Sequence, residues 1–257
     1  MISLLIPLSI LLAYMTFLYV IALLAKNNAL ADVGYGIGFS ILSVATVFNA
    51  PLASSGSLIL VALVALWGSR LSLRIFTKNR GKPEDFRYKA WRDEWGDQFA
   101  LRSFLQVFML QGLIIFLVAL PVTLALTHPN FLHSPLFTFG FLVWCVGFLL
   151  EAVGDYQLDA FITKSENTGK IMQSGLWKYT RHPNYFGESV MWWGIAVSAS
   201  SITTLPLLCF VSPVLITYLL LRVSGVPLLE KRWEGRSDWE TYKAKTPVFI
   251  PLIKEFK

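Results

Sequence analysis

Seven long apolar blocks run through this chain, at residues 2–25, 33–50, 57–76, 104–126, 135–154, 184–203 and 205–221. A bilayer core about 30 Å thick takes roughly 20 mostly apolar residues per helix, so each block is long enough, or nearly so, to cross. The sixth and seventh are separated almost only by Thr204 and Pro206, as a helical hairpin would be. The blocks predict an all-α, polytopic membrane protein with about seven transmembrane helices. Composition agrees: of 257 residues 55% are hydrophobic and 15% charged, against about 25% charged in an ordinary soluble domain. That excludes a water-soluble globular enzyme, a disordered chain, collagen and a coiled coil. Cys145 and Cys209 lie inside apolar blocks, without disulfide or metal-ligand spacing, and read as packing residues. The first block has no basic stretch before it, and Lys26 follows it, which argues against a cleaved signal peptide.

The charges are one-sided. With seven spans, residues 26–32, 77–103, 155–183 and 222–257 share one side and hold 20 of the 22 Lys and Arg; Arg70 and Arg74 end the third span on that side. The opposite connections hold none. Basic residues mark the cytoplasmic side, so the expectation is an external N-terminus, a cytoplasmic C-terminus and chemistry facing the cytoplasm. The formal net charge of +6 then reflects orientation and attraction to anionic lipid, and nucleic acid is not needed as a partner. Tyr88, Trp91, Trp95 and Phe99 recur at helical spacing among Arg87, Lys89, Arg92 and Asp93. They predict an amphipathic interfacial helix, weakened by Gly96, that serves as a membrane anchor or as a lid or cofactor wall.

Several motif readings fail. Gly34-Tyr-Gly-Ile-Gly38 sits in a span without the strand a dinucleotide fingerprint requires, so its small residues point to close helix contact. No phosphate loop or nucleophile elbow occurs. His128 and His133, beside Pro129 and Pro135, read as loop residues, and no metal site is expected.

Carboxylates in or beside apolar blocks need explaining, because charge at bilayer depth is costly. Asp32 precedes the second block and could cap its helix. Glu151 and Asp155, four residues apart, share a face near the end of the fifth. Glu188 lies about one turn into the sixth. That block opens in Gly175-Leu-Trp-Lys-Tyr-Thr-Arg-His-Pro-Asn-Tyr-Phe-Gly-Glu188, where Pro183 suits a first helical turn. Arg181, Asn184, Tyr185 and Glu188 fall on one stripe, behind a loop carrying Lys164, Asn167, Lys170 and Lys178. Bases beside a helix N-terminus suit an anion, and the aromatic rings offer stacking faces. The set fits a phosphate-bearing aromatic cofactor, a lipid headgroup, or an aromatic belt with snorkelling bases.

The same stretch, followed by Trp192-Trp-Gly194, resembles the bacterial and plant branch of the steroid 5α-reductase family. The resemblance extends to Val223–Glu230, to 242–251, and back to Asn79-Arg-Gly81, Tyr88 and Trp95-Gly96, covering most of residues 70–251. It implies a single membrane reductase domain over 1–257 that uses NADPH, with 1–126 on the substrate side and 127–257 forming the cofactor half. By position, Asn184, Glu188, Tyr242, Asn79, Arg80 and Asp155 match residues at the cofactor. Lys164, Lys170 and Arg181 are candidates for its phosphates, and Asn167, Trp177, Tyr179, His182, Tyr185 and Glu230 complete the candidate set. The steroid enzymes polarise a substrate ketone with a glutamate on the second helix and a tyrosine on the third. This chain has Gly68 about where that tyrosine aligns and no glutamate in its second span, which leaves Asp32, Tyr35 and Tyr88 as candidate catalytic acids.

The expected activity is NADPH-dependent reduction of a conjugated C=C bond in a lipophilic, steroid-like or other lipid substrate, within the inner membrane of a cell or the endoplasmic reticulum. The alternatives are a membrane methyltransferase using S-adenosylmethionine, which shares the Arg181-His-Pro-x-Tyr185 theme, and a non-catalytic lipid-binding or transport protein.

Overall fold

The computed structural model describes residues 4–50, 53–128 and 134–252. Among these residues every regular element is a helix. The early elements are α1 (Leu5–Leu24), α2 (Leu30–Phe48), α3 (Ser55–Asn79) and α4 (Phe86–Trp95). After them come α5 (Phe99–Ser103), α6 (Leu110–Val118), α7 (Leu120–Thr127) and α8 (Pro135–Ile162). The chain ends with α9 (Pro183–Ser200), α10 (Val211–Tyr218), α11 (Val226–Lys231) and α12 (Ser237–Lys245). His133 lies outside the described residues.

Six helical runs among the described residues are long and apolar enough to cross a membrane: Leu5–Leu24, Leu30–Phe48, Ser55–Asn79, Phe86–Val118, Pro135–Ile162 and Pro206–Lys231. The expected count was about seven. The difference is α9, whose 18 residues give about 27 Å of helix but include Asn184 and Glu188 among glycines and serines. The protein is a multi-pass membrane protein. Its outward side chains agree, since Leu5, Phe17 and Leu24 of α1 are 73%, 61% and 79% exposed, a surface suited to lipid.

The fourth block departs most from expectation. Its helix starts early, at Phe86, and stops at Val118, because Pro121 has no N–H to donate back one turn. The predicted interfacial helix is therefore the first part of this run. Gly96, at φ +49°, ends α4, and a π-helical turn over Phe104–Met109 follows. The fifth block also runs two turns beyond 154, so Glu151 and Asp155 are not at its end.

The chain divides into two compact units. Met1–Ser134 with Ala199–Cys209 forms the first, and Pro135–Ser198 with Phe210–Lys257 the second. In the first, Phe39 packs edge-on to Trp67 at 5.2 Å, with Leu11, Met15, Leu42, Leu60, Phe108 and Ile115 buried. Its glycine run does set helix contacts. A Cβ added at Gly36 would fall 2.3 Å from the Gly68 carbonyl, and one at Gly68 equally close to the Gly36 carbonyl. Gly34 meets Leu18 and Tyr14, and Gly38 meets Ile115. The α2–α3 backbone contact thus leaves no room for a side chain at position 68.

In the second unit, α8 and α9 approach through glycines seven apart. A Cβ on Gly147 would lie 2.4 Å from the Met191 nitrogen, and one on Gly187 2.4 Å from the Glu151 nitrogen. Gly140 and Gly194 repeat the arrangement one heptad away, each within 2.7 Å of the other's carbonyl oxygen. Small residues let membrane helices gain dispersion contact where lipid offers no hydrophobic gain. The spacing also fixes which polar residues of the two helices lie near the contact.

Candidate functional site

Two polar clusters emerge, one in each unit. In the first unit, Asp32 lies within the first turn of α2 and does not cap it. Its Oδ1 accepts the Tyr88 hydroxyl at 2.7 Å, and its Oδ2 accepts Arg87 Nη2 at 2.8 Å. A carboxylate near a helix N-terminus is also favoured by the helix dipole. Arg87 turns its Nε to Asp85 Oδ1 at 2.9 Å, and Asp85 caps α4 by accepting the Arg87 amide at 3.0 Å. Partial burial pushes the Asp85 carboxyl up, but the Arg87 hydrogen bonds and the charges of Arg87 and Lys78 outweigh that and hold it below the usual carboxylate value.

Beside this, Glu84 accepts the Asn28 amide at 2.8 Å and two bonds from Arg92, while the Asn28 side chain donates to Ser103. The Arg92 guanidinium sits 4.0 Å over the Phe99 ring. Trp91 and Trp95 stack face to face at 5.4 Å. Of the three candidate acids the structure joins Asp32 and Tyr88. Tyr35 is half-buried, edge-on to Phe39 at 5.0 Å. Asn79 closes α3 half-buried, and Arg80 beyond it is exposed.

In the second unit the cluster is buried. Arg181 precedes α9, whose first residue is Pro183, and so is not on the helical stripe the spacing suggested. Its Nε and Nη2 donate to Glu230 at 2.8 and 3.3 Å, and its Nη1 donates to the carbonyls of Lys243 and Thr246. The Arg181 amide bonds the Pro247 carbonyl, and the Thr180 hydroxyl reaches the Phe249 carbonyl. Residues 243–249 are thereby strapped onto the loop before α9. His182 shares Glu230, with Nε2 at 3.0 Å from Oε1, and stacks on Tyr185 at 5.4 Å. Among the described residues its buried Nδ1 has no hydrogen-bond partner, nor does Asn184 Oδ1. With Nε2–H donated to Glu230, both orphans are acceptors.

Asn184 Nδ2 donates to Asp155 at 3.1 Å. Asp155, Glu151 and Glu188 are all buried. Trp177 Nε1 donates to the Gly154 carbonyl, and the Tyr242 hydroxyl donates to the Trp177 carbonyl. Burial pushes the Tyr242 phenol well up, only partly offset by Arg181. Gln157 Oε1 accepts the Leu176 amide at 2.9 Å, fixing the loop to α8. Asn167 spends its amide on the Phe161 carbonyl at the end of α8. Lys164, Lys170 and Lys178 are exposed, as is Tyr179 beside Lys178.

Sequence reasoning did not single out Asp85, Arg87, Gln157, Thr180 or Thr246 for these positions. Only Asp85 carried a usable signal, an Asp standing just before an aromatic-rich helix, where caps occur.

An all-helical, multi-pass membrane protein with one half-exposed and one buried polar cluster is the class that fold and site define. The chain belongs to the family described as a protein of unknown function (DUF1295), whose profile matches residues 18–246. Part matches support the steroid 5α-reductase family. The 3-oxo-5-alpha-steroid 4-dehydrogenase 1 of Mus musculus is 37% identical over 76 residues, 30% of this chain and 28% of that protein. The Rattus norvegicus protein of that name is 34% identical over 91 residues, 35% and 33% of the two chains. The Homo sapiens one is 32% identical over 73 residues, 28% of each. The chain thus spans a third or less of the length of these relatives. No solved structure matches it.

Proposed function

We propose that this protein is a membrane reductase that uses NADPH to reduce a conjugated C=C bond in a lipophilic, carbonyl-bearing substrate. The observation that carries the reading is the buried polar network on Gly175–Glu188, in a chain whose lipid-facing composition would otherwise exclude such groups. The curated relatives' name supports the reaction class.

The second unit's residues fit NADPH by their chemistry. The cofactor presents phosphates, ribose hydroxyls and a carboxamide. Exposed Lys164, Lys170 and Lys178 suit the phosphates, and the Tyr179 ring offers a stacking face. The orphaned acceptors His182 Nδ1 and Asn184 Oδ1 suit hydroxyl or amide donors. Arg181, committed to Glu230 and to backbone carbonyls, positions the loop instead of reading phosphate. Tyr242, Trp177, Asp155 and Glu188 shape the site.

When bound, NADPH supplies the hydride that adds to the β-carbon of the substrate. Tyr88, whose hydroxyl donates to Asp32 at 2.7 Å, is the donor to the substrate carbonyl, its one O–H turning from the carboxylate to the carbonyl oxygen. A donor there stabilises the developing enolate, where electrostatic help lowers the barrier most. A proton delivered to the α-carbon from a side chain or water completes the reduction. With α9 counted as the seventh span, the basic loops would mark the cytoplasmic side and leave the N-terminus outside, and the cofactor would enter the second unit from the cytoplasm.

The test uses purified protein in nanodiscs with a panel of lipid-soluble enones. NADPH should be consumed and the product should gain two hydrogens. Asn184→Ala and Glu188→Ala should abolish nucleotide binding. Well-folded protein that binds no nicotinamide nucleotide overturns the reading.

A further inference from the structure

Arg87 lies outside the set of residues that the sequence pattern or the resemblance singled out, yet it is the hub of the first unit's cluster. It and Tyr88 are consecutive, and they take the two different oxygens of one carboxylate: Oδ2 of Asp32 for Arg87, Oδ1 for Tyr88. With Oδ2 held by the guanidinium, the carboxylate cannot rotate, and Oδ1 stays on the phenol. The other edge of the same guanidinium holds Asp85, the cap of α4. The planar fork of Arg meets two carboxylates from different nitrogens, whereas the compact ammonium of Lys would have to draw both to one atom.

The segment carrying Arg87 and Tyr88 depends on such ties. It is bracketed by Gly81 at φ +73° and Gly96 at φ +49°, and a Cβ at either would meet nothing within 4 Å. Both backbone positions favour glycine and neither glycine is packed, so α4 is fastened by side-chain contacts such as these. The Arg87–Asp32 pair is only part-buried, with side chains 30% and 24% exposed.

We propose that Arg87 is a positioning residue for the Asp32–Tyr88 pair: by bridging Asp32 on α2 and Asp85 on the α4 cap, it holds the helix bearing Tyr88 against the helix bearing Asp32. The role rests on the reading of that pair as the donor to the substrate carbonyl. Arg87 itself touches neither substrate nor cofactor.

The experiment compares wild-type protein, Arg87→Gln and Arg87→Lys in nanodiscs, by amide hydrogen exchange and by enone reduction. Arg87→Gln speeds exchange over residues 86–95 by about tenfold, the effect of losing roughly 1.4 kcal/mol of local protection, and leaves 183–198 unchanged. Its kcat falls by about as much while KM for NADPH holds, as expected for a group acting only through the donor pair. Arg87→Lys recovers part of both losses, since it reaches one carboxylate. If Arg87→Gln does not fold, Asp85→Asn keeps Arg87, removes its second anchor and loosens 86–95 more mildly. Unchanged exchange over 86–95 in Arg87→Gln, or loosening spread evenly through the chain, overturns the inference. If wild-type protein reduces no enone, the proposed function falls, and the exchange measurement still decides whether Arg87 fastens α4.

Discussion

The two units meet the same demand, holding charge in an apolar protein, in different ways. In the second, Arg181 and His182 are 8% and 4% exposed, and their partners are a carboxylate and carbonyls of the C-terminal segment. In the first, the Arg87, Asp85 and Asp32 side chains each keep about a quarter to a third of their surface, and they bridge two helices beside unpacked glycines. A buried network whose charges are paired is pre-organised and costly to break. A part-exposed ion-pair latch is cheap to open. The second unit's buried arrangement suits a site that must keep one shape, and the first unit's part-exposed latch suits one that opens and closes.

The comparison can be broken by measuring what each network contributes. Glu230→Ala takes the carboxylate from a buried guanidinium and should cost about 3–5 kcal/mol, whereas Asp85→Ala, which loses a helix cap and a part-exposed ion pair, should cost about 1 kcal/mol. Equal losses in denaturation would erase the distinction. Gly147→Ala forces a Cβ to 2.4 Å from the Met191 nitrogen and should cost about 3 kcal/mol. Gly36→Ala, at 2.3 Å from the Gly68 carbonyl, should cost a similar amount, because glycine contact is the device the units share.

Tyr242→Phe removes the donor to the buried Trp177 carbonyl, for about 1–2 kcal/mol. It should also change the alkaline response. Burial raises the Tyr242 phenol in the folded protein, so the folded state resists ionising it. Stability is therefore full below the unfolded value near 10 and falls as pH rises past it. That alkaline loss should shrink in Tyr242→Phe, as thermal unfolding against pH would show. Smallest of all, Arg236→Gln removes an exposed pair with Asp238 and should leave stability and turnover unchanged.

The helical membrane architecture was legible because apolar block length needs no tertiary information. Pro121 could have placed the break after Val118, but block counting averages over single residues. The role of the glycine run at 34–38 was readable as close contact; its partner Gly68 was not, since reciprocity between α2 and α3 leaves no local mark. In the candidate sites, residue type pointed to Asp32, Tyr88, Asn184 and Glu188. Which atoms each would meet was invisible. Arg181 looked like a phosphate ligand because it is basic and adjoins a helix start, and only the return of residues 243–249 gives its donors other partners. Arg87 looked like one base among many on an interfacial helix, because its importance lies in a carboxylate 55 positions away.

Calorimetric titration of NADPH into the nanodisc-embedded protein, followed by mass analysis after incubation with lipid enones, tests the central claim most directly. The account predicts saturable binding, lost in Asn184→Ala, and a product heavier by two hydrogens whose formation fails in Tyr88→Phe. Folded protein that neither binds NADPH nor yields such a product would contradict it.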